Sequence, residues 1–254
     1  MKIKVFTFNL RTESVKDGIN YFPNRRGRIL DTIKTYNPDI IGFQEATDSM
    51  REWLRDELSG YSVVGCGRGK NYRGESTIVA FRKSDFEMIN CETFWLSLTP
   101  GVPGSGYGLD QSSCPRVATA MLLKPVAGDE PFIFCNTHLD HKGKTARLFG
   151  SVQLIQYLTS KPYKFVLTGD FNATPDAPEI SIFGSVGSRQ IKDATAGLGG
   201  TFHGFNRDAV KSKIDYIFTD LPCDSGESFV VPDEGDANGV FISDHNPVCA
   251  FVEV

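Results

Sequence analysis

A chain of 254 residues that is 40% hydrophobic and 23% charged can bury one sizeable core and is not a disordered polymer. Its net charge of -4 excludes a generally basic nucleic-acid coat, although a local basic groove stays compatible with it. No apolar run approaches the ~20 residues that cross a bilayer, so no membrane span is expected.

The first residues, Met1-Lys2-Ile3-Lys4-Val5-Phe6, enter an alternating strand directly, with Ile3, Val5, Thr7 and Asn9 on one face. A start without an apolar leader implies a cytoplasmic protein, or a secreted one whose leader has been removed. Ile29, Leu30 and Ile33 predict a helix from about Arg25 to Thr35, closed by Asn37-Pro38. Arg25, Arg26 and Arg28 open that helix and read as its solvated face. A core strand over Asp39–Phe43 ends in Gln44-Glu45, and a second helix covers Met50–Leu58. Further strands fit Ser76–Arg82, Val117–Leu123, Phe132–Thr137, Phe165–Leu167, Ile214–Phe218 and Val248–Val252, and a helix carries Leu148, Val152, Leu154, Ile155 and Leu158. Between them, Pro100–Gly108 is too rich in Gly and Pro for anything but loop, and its single aromatic, Tyr107, could stack on a base or sugar ring. Six cysteines without a Cys-x-x-Cys pair read as free thiols in apolar strands, not as a zinc site.

Strands outnumber helices, and helices follow only some strands, which suggests two similar halves whose sheets face one another. Polar residues recur just past strand ends: Asn9, Glu45, His138, Asp170, Asn172 and Asp244. That is where sites assemble in layered α/β folds.

Gly169-Asp170-Phe171-Asn172 is the most informative of these strand exits, because Asp170 and Asn172 stand two residues apart on one side of the backbone. Three of the four histidines, 138, 141 and 245, fall in such clusters. The chemistry that uses the set is attack of water on a phosphate ester. Phosphate charge calls for a cation with hard oxygen ligands, and Glu45, Asn9 and Asp244 favour Mg2+ or Mn2+ over zinc. Either Asp170 or an Asp215–His245 pair can serve as general base. Asn172 and His138 can meet the non-bridging oxygens where charge builds.

Thr7-Phe8-Asn9, Gln44-Glu45, Asn136-Thr137-His138-Leu139, Gly169-Asp170-Phe171-Asn172, Lys213-Ile214-Asp215-Tyr216-Ile217 and Ser243-Asp244-His245 stand in the order seen in the endonuclease/exonuclease/phosphatase (deoxyribonuclease I-like) superfamily, and the chain resembles it over nearly its whole length. Phe94-Trp95-Leu96-Ser97, Thr137–His141 and Thr201-Phe202-His203-Gly204-Phe205 resemble a bacterial group nearest the deadenylase-like branch. The resemblance implies a single-domain four-layer αββα sandwich, its two mainly antiparallel sheets packed face to face, and Mg2+- or Mn2+-dependent phosphoester hydrolysis. By the same resemblance Glu45 is the principal metal ligand with Asn9 and Asp244 near it, and Asp170 orients or activates the water. Asn172 and His138 then touch the phosphate, and His245 is held by Asp215. Arg116 is similar to a basic residue that grips phosphate, and Glu75 to an acid that orients His138. Asp140-His141 reads as a polar strand exit or a second phosphate contact, and His203 as a rim residue. The substrate stays open between nucleic acid and a small phosphate ester, and a catalytically silent binding protein on the same fold is the alternative.

Overall fold

In the computed structural model, which describes residues 1–128, 130–185, 189–209 and 211–254, the chain opens with strand β1 (Lys2–Asn9), helix α1 (Phe22–Tyr36) and strand β2 (Ile40–Ala46). β1 and β2 are parallel, so α1 is the crossover between them. Asn37, in the left-handed conformation at φ 51°, ends the helix and turns the chain toward β2. Helix α2 (Asp48–Glu57) follows, and Thr47 caps it by accepting from the Met50 amide. Strands β3 (Tyr61–Val64) and β4 (Ser76–Arg82) complete one side of the first sheet.

The second half repeats the plan. A long hairpin of β5 (Phe86–Trp95) and β6 (Val117–Pro125) leads into β7 (Phe132–His138), helix α3 (Lys144–Thr159) and β8 (Lys164–Asp170). β7 and β8 are again parallel. A short helix α4 (Pro178–Ser181) and strands β9 (Lys192–Asp193), β10 (Asp215–Thr219), β11 (Phe229–Val230) and β12 (Val248–Glu253) follow. The described residues form two six-stranded sheets, ordered β11-β12-β1-β2-β4-β3 and β5-β6-β7-β8-β10-β9. Every other strand pair is antiparallel.

Period-two alternation sorts the side chains into three apolar layers. Ile3 and Val5 of β1 point into the gap between the sheets, where they meet Phe132, Phe134, Val166 and Ile217 of the opposite sheet. Phe6 and Phe8 point outward under α1 and α2, against Ile29, Ile33 and Trp53. On the far side Leu154, Ile155 and Leu158 of α3 cover Phe165 and Leu167. Helix, sheet, sheet, helix is the αββα order, as the sequence motifs implied.

The inner face changes chemistry along its length. Ile3, Val5 and their neighbours give way to Thr7, Gln44, Asn136 and Thr168, all buried. Beyond that polar belt lie Asn9, Asp170 and Asp215. The strands thus deliver carboxylates and amides to one end of the sandwich while their other ends stay dry. Among the described residues no helix is long and apolar enough to cross a membrane. All six cysteines are free thiols.

One expectation fails at α1. Arg25 is fully buried, and its guanidinium donates to the carbonyls of Leu10, Arg11, Asn20 and Ile242. Arg26 lies over the rings of Phe22 and Trp53, and Arg28 pairs with Asp233 at 2.9 Å. This face of the helix is packed, not solvated.

Candidate active site

A cleft of about 380 Å³ opens at the polar end, lined among others by Glu45, His138, Asp170, Asn172, Asp244 and His245. Of the remaining residues expected there, Arg116 and Glu75 also line it. Asn9 and Asp215 are buried behind its wall, where they hold the lining residues.

Glu45 reaches the cleft from an irregular strand end. The pairing of β2 with β4 shifts register between Phe43 and Ala46, and Glu45 adopts φ 62°. Such a bulge re-aims a side chain. Asn9 Nδ2 donates to Glu45 Oε1 at 3.2 Å and the Thr12 amide to Oε2 at 2.7 Å. Asn9 Nδ2 also donates to Asp170 Oδ2 at 2.9 Å, while its oxygen accepts from the Arg11 amide. Asn9 therefore spaces the two carboxylates, and its oxygen keeps one acceptor position beyond the bond from the Arg11 amide.

Asp170 ends β8, and its Oδ1 accepts from the Asn172 amide at 2.9 Å, a tight turn that requires φ 49° at Asn172. Oδ2 lies 3.5 Å from His138 Nε2 and 3.7 Å from His245 Nε2. Burial, reinforced by the charge of Asp215, pushes Asp170 up to about 7. His245 goes the other way for an imidazole. Burial opposes its charge, but Asp215, Asp170 and Asp244 outweigh that and raise it to about 10. Its Nδ1 meets Asp215 Oδ2 at 2.9 Å, which leaves Nε2 for the cleft.

His138 is held well below its ordinary value by burial and then by Arg116, so it is neutral. Asn172 Nδ2 lies 3.0 Å from His138 Nε2 and donates to Leu139 O at 3.1 Å. A ring that accepts at Nε2 carries its proton on Nδ1. Asp244 is raised by burial and lies 3.7 Å from the Arg11 guanidinium.

The cleft also carries cationic groups. Arg116 is buried, with Nε 3.4 Å from Asp140 Oδ2 and Nη2 2.8 Å from His141 Nδ1. Its Nη1 has no acceptor among the described residues. Asp140 is held below the ordinary range, because amides of Gly143, Ser112 and Lys142 and the Ser112 hydroxyl outweigh its burial. It is the polar strand exit of the two readings, while the adjoining His141 lines the cleft.

Three expectations need correcting. Glu75 binds Arg68 Nη2 at 2.8 Å and makes no hydrogen bond to His138. Tyr107 is turned away from the cleft: its ring packs edge-on against Phe149, and its hydroxyl donates to Gln153. No residue of Pro100–Gly108 lines the cleft; Cys114, farther along toward β6, does. His203 is likewise buried, against Phe241, and is not a rim residue. Arg11, Arg68 and Phe202 line the cleft without having been singled out. Arg11 follows the Asn9 strand exit by two residues, so proximity to that motif was a usable signal. Arg68 lies in a loop with no motif.

The fit of a divalent cation follows from the donor set. Glu45, His138 and Asp170 bring ligand-capable atoms within 4.8 Å of one another, as do Asp170, Asp215 and His245. The second group already contains the cationic His245. The first has carboxylate oxygens suited to a hard ion.

The model of the Endonuclease/Exonuclease/phosphatase family matches residues 6–245. The chain belongs to that family. An endonuclease/exonuclease/phosphatase structure from Bacteroides vulgatus superposes with a TM-score of 0.90 at 30% identity, covering 100% of this chain and 99% of that one. The mannosyl-6-phosphatase Bt3783 of Bacteroides thetaiotaomicron superposes with a TM-score of 0.89 at 26% identity, covering 99% and 100%. Protein L388 of Acanthamoeba polyphaga mimivirus is 28% identical over 158 residues, 59% of this chain and 58% of the viral one. In the Endonuclease/Exonuclease/phosphatase family the shared fold carries nucleases and phosphatases, and phosphoester hydrolysis is the activity class that membership supports.

Proposed function

We propose that this protein is a Mg2+- or Mn2+-dependent phosphatase that removes the phosphate from a small phosphomonoester, a phosphorylated sugar being the best fit. The observation that carries this reading is the mixed charge of the cleft lining. The carboxylates of Glu45, Asp170 and Asp244 and the guanidinium groups of Arg11, Arg68 and Arg116 share a space of about 380 Å³. That volume suits a ligand of sugar-phosphate size. The likeness to a mannosyl-6-phosphatase at 26% identity supports the same class.

Glu45 would hold the ion, with Asp170 and Asp244 beside it. When bound, the ion supplies Lewis-acid neutralisation of the phosphate charge. Asp170 takes the proton of the attacking water, and its raised value makes it a better base than an ordinary carboxylate. As the new P–O bond forms, the bond to the sugar oxygen breaks. His245, cationic and fixed by Asp215, presents Nε2 to the oxygens that gain charge and can protonate the leaving alkoxide. Asn172, whose two amide protons are held by His138 Nε2 and Leu139 O in the free site, would turn the one held by His138 toward the non-bridging oxygens when the substrate binds, with neutral His138 beside it. Arg116 offers its unpartnered Nη1 to the anion.

A second reading has its own observation. A neighbouring cavity of about 500 Å³ shares Asn172, Phe202 and Ile214 with the cleft and carries Lys144. A longer phosphodiester, such as single-stranded nucleic acid, would occupy both. Hexose 6-phosphates, bis-p-nitrophenyl phosphate and short single-stranded RNA and DNA, each with Mg2+ or Mn2+, separate the readings. Phosphate release from the hexose phosphates supports the first. Strand cleavage without it supports the second, and no turnover of any substrate supports a silent binding protein.

A further inference from the structure

We infer that Asn136 is a positioning residue for Glu45, acting from the opposite sheet. The inference rests on Glu45 as the cation-holding carboxylate of the proposed phosphatase.

Glu45 has left-handed backbone at φ 62° and sits inside the register shift of β2. A non-glycine residue persists there only when its surroundings over-determine it. Asn9 Nδ2 and the Thr12 backbone amide grip the carboxylate, and the Leu10 amide and Ser76 hydroxyl hold the carbonyls of Gln44 and Ala46 on either side. Asn136 holds the strand behind it from the opposite sheet. It is fully buried on β7, and an asparagine amide has two donors and two acceptor positions. Nδ2 donates to Phe43 O at 2.8 Å and Ile78 O at 2.9 Å. Oδ1 accepts from Gln44 Nε2 at 2.7 Å and from Thr168 Oγ1 at 3.1 Å. All four positions are spent, and only the bond from Thr168 lies within the sheet of Asn136.

The three others converge on the bulge. Phe43 and Ile78 are the last regular pair before the register shift, and Gln44 directly precedes Glu45. The space is made by Gly42, where a Cβ would stand 2.6 Å from Asn136 Oδ1 and 2.2 Å from Thr168 Oγ1. Loss of the amide would leave two buried carbonyls without this donor, and the bulge could relax toward regular pairing and swing Glu45 from the cleft.

Mn2+ titration of the substrate-free protein by calorimetry tests this, with Asn136→Ala, Thr168→Val, Thr168→Ser and Glu45→Gln. Partners that orient a metal ligand typically contribute about 10–100-fold to affinity, so Asn136→Ala is expected to weaken Mn2+ binding by roughly tenfold or more. Thr168→Val should weaken it less, and Thr168→Ser, which keeps the hydroxyl, should bind as the parent does. A merely structural amide would lower the melting temperature and leave Mn2+ affinity unmoved. That result, with Glu45→Gln weakened, overturns the inference alone. If Asn136→Ala does not fold, equal affinity in the two Thr168 variants overturns it instead. Undiminished affinity in Glu45→Gln removes the metal assignment and this inference with it.

Discussion

His245 Nδ1 stands 2.9 Å from Asp215 Oδ2, and the same oxygen accepts the hydroxyl of Thr201 at 2.5 Å. Both partners are buried, so the imidazole is fixed in orientation and its proton is held by a carboxylate that cannot be hydrated away. Asp215→Asn keeps the shape of the contact and removes the charge. Turnover should fall by roughly 10²–10⁴-fold, the usual range for positioned acid–base groups, with the circular dichroism spectrum unchanged. Full turnover in this variant would exclude an acid–base role for the pair.

The same charges set a pH dependence of stability in the metal-free protein. Asp170 is raised to about 7, so above its ordinary range ionising it costs more in the folded state, and stability falls as pH rises toward 7. His245 is raised to about 10, so its stabilisation is complete below the ordinary imidazole range and is lost as pH rises toward 10. Both act in one direction. The melting temperature in EDTA should drop between about pH 7 and pH 9, above the range in which the lowered His138, His141 and His203 act in the opposite sense, and saturating Mg2+ should flatten the part due to Asp170. A melting temperature that climbs with pH over this interval would reverse the sign and contradict the assignment.

Arg25 joins the β1 exit at Leu10 and Arg11, the 3-10 helix that ends at Asn20, and Ile242 just before Asp244 and His245. Arg25→Lys replaces a five-donor fork with one ammonium. Unfolding in urea should show a loss of about 3 kcal/mol, the scale of two hydrogen bonds to a charged group, and activity should fall with it. A loss below 0.5 kcal/mol, the scale of an ordinary surface substitution, would mean that the clamp contributes little.

Arg25 also marks what the sequence could not reveal. Its carbonyl partner at Ile242 lies 217 residues away, and a basic run at a helix start reads the same whether it is solvated or buried. Strand β4 at Ser76–Arg82 was legible to the residue because it is apolar and paired on both sides. Strand β5, Phe86–Trp95, was not: it is an edge strand whose middle residues are exposed and mixed in polarity, so no period stands out. At the site, the strand-exit polar residues were visible because they interrupt apolar runs. The partners of Glu75 and Tyr107 were invisible, because they depend on how loops fold back onto β4 and α3.

Phe202 takes the place at the cleft that the sequence suggested for Tyr107. Phe202 is 37% exposed, lines the cleft and lies 4.9 Å from the His245 ring, whereas Tyr107 is tied to α3. Phe202→Ala should raise KM several-fold while leaving the melting temperature close to the parent value. Tyr107→Phe should leave KM unchanged and cost about 1 kcal/mol of stability for the lost hydrogen bond. Steady-state kinetics and thermal melts on the two variants check both halves, and a KM effect confined to Tyr107→Phe would contradict the placement.

The most direct test is a Mg2+ titration of phosphate release from a hexose 6-phosphate, run in parallel on the parent protein and on Glu45→Gln. The neutral amide is a poorer ligand for a hard cation. The parent should show saturable Mg2+-dependent turnover abolished by EDTA, and Glu45→Gln should need far more Mg2+ and lose at least about 10²-fold in rate, the low end for a group acting in the transition state. Equal turnover and an equal Mg2+ requirement in the two proteins would contradict a cation site built on Glu45.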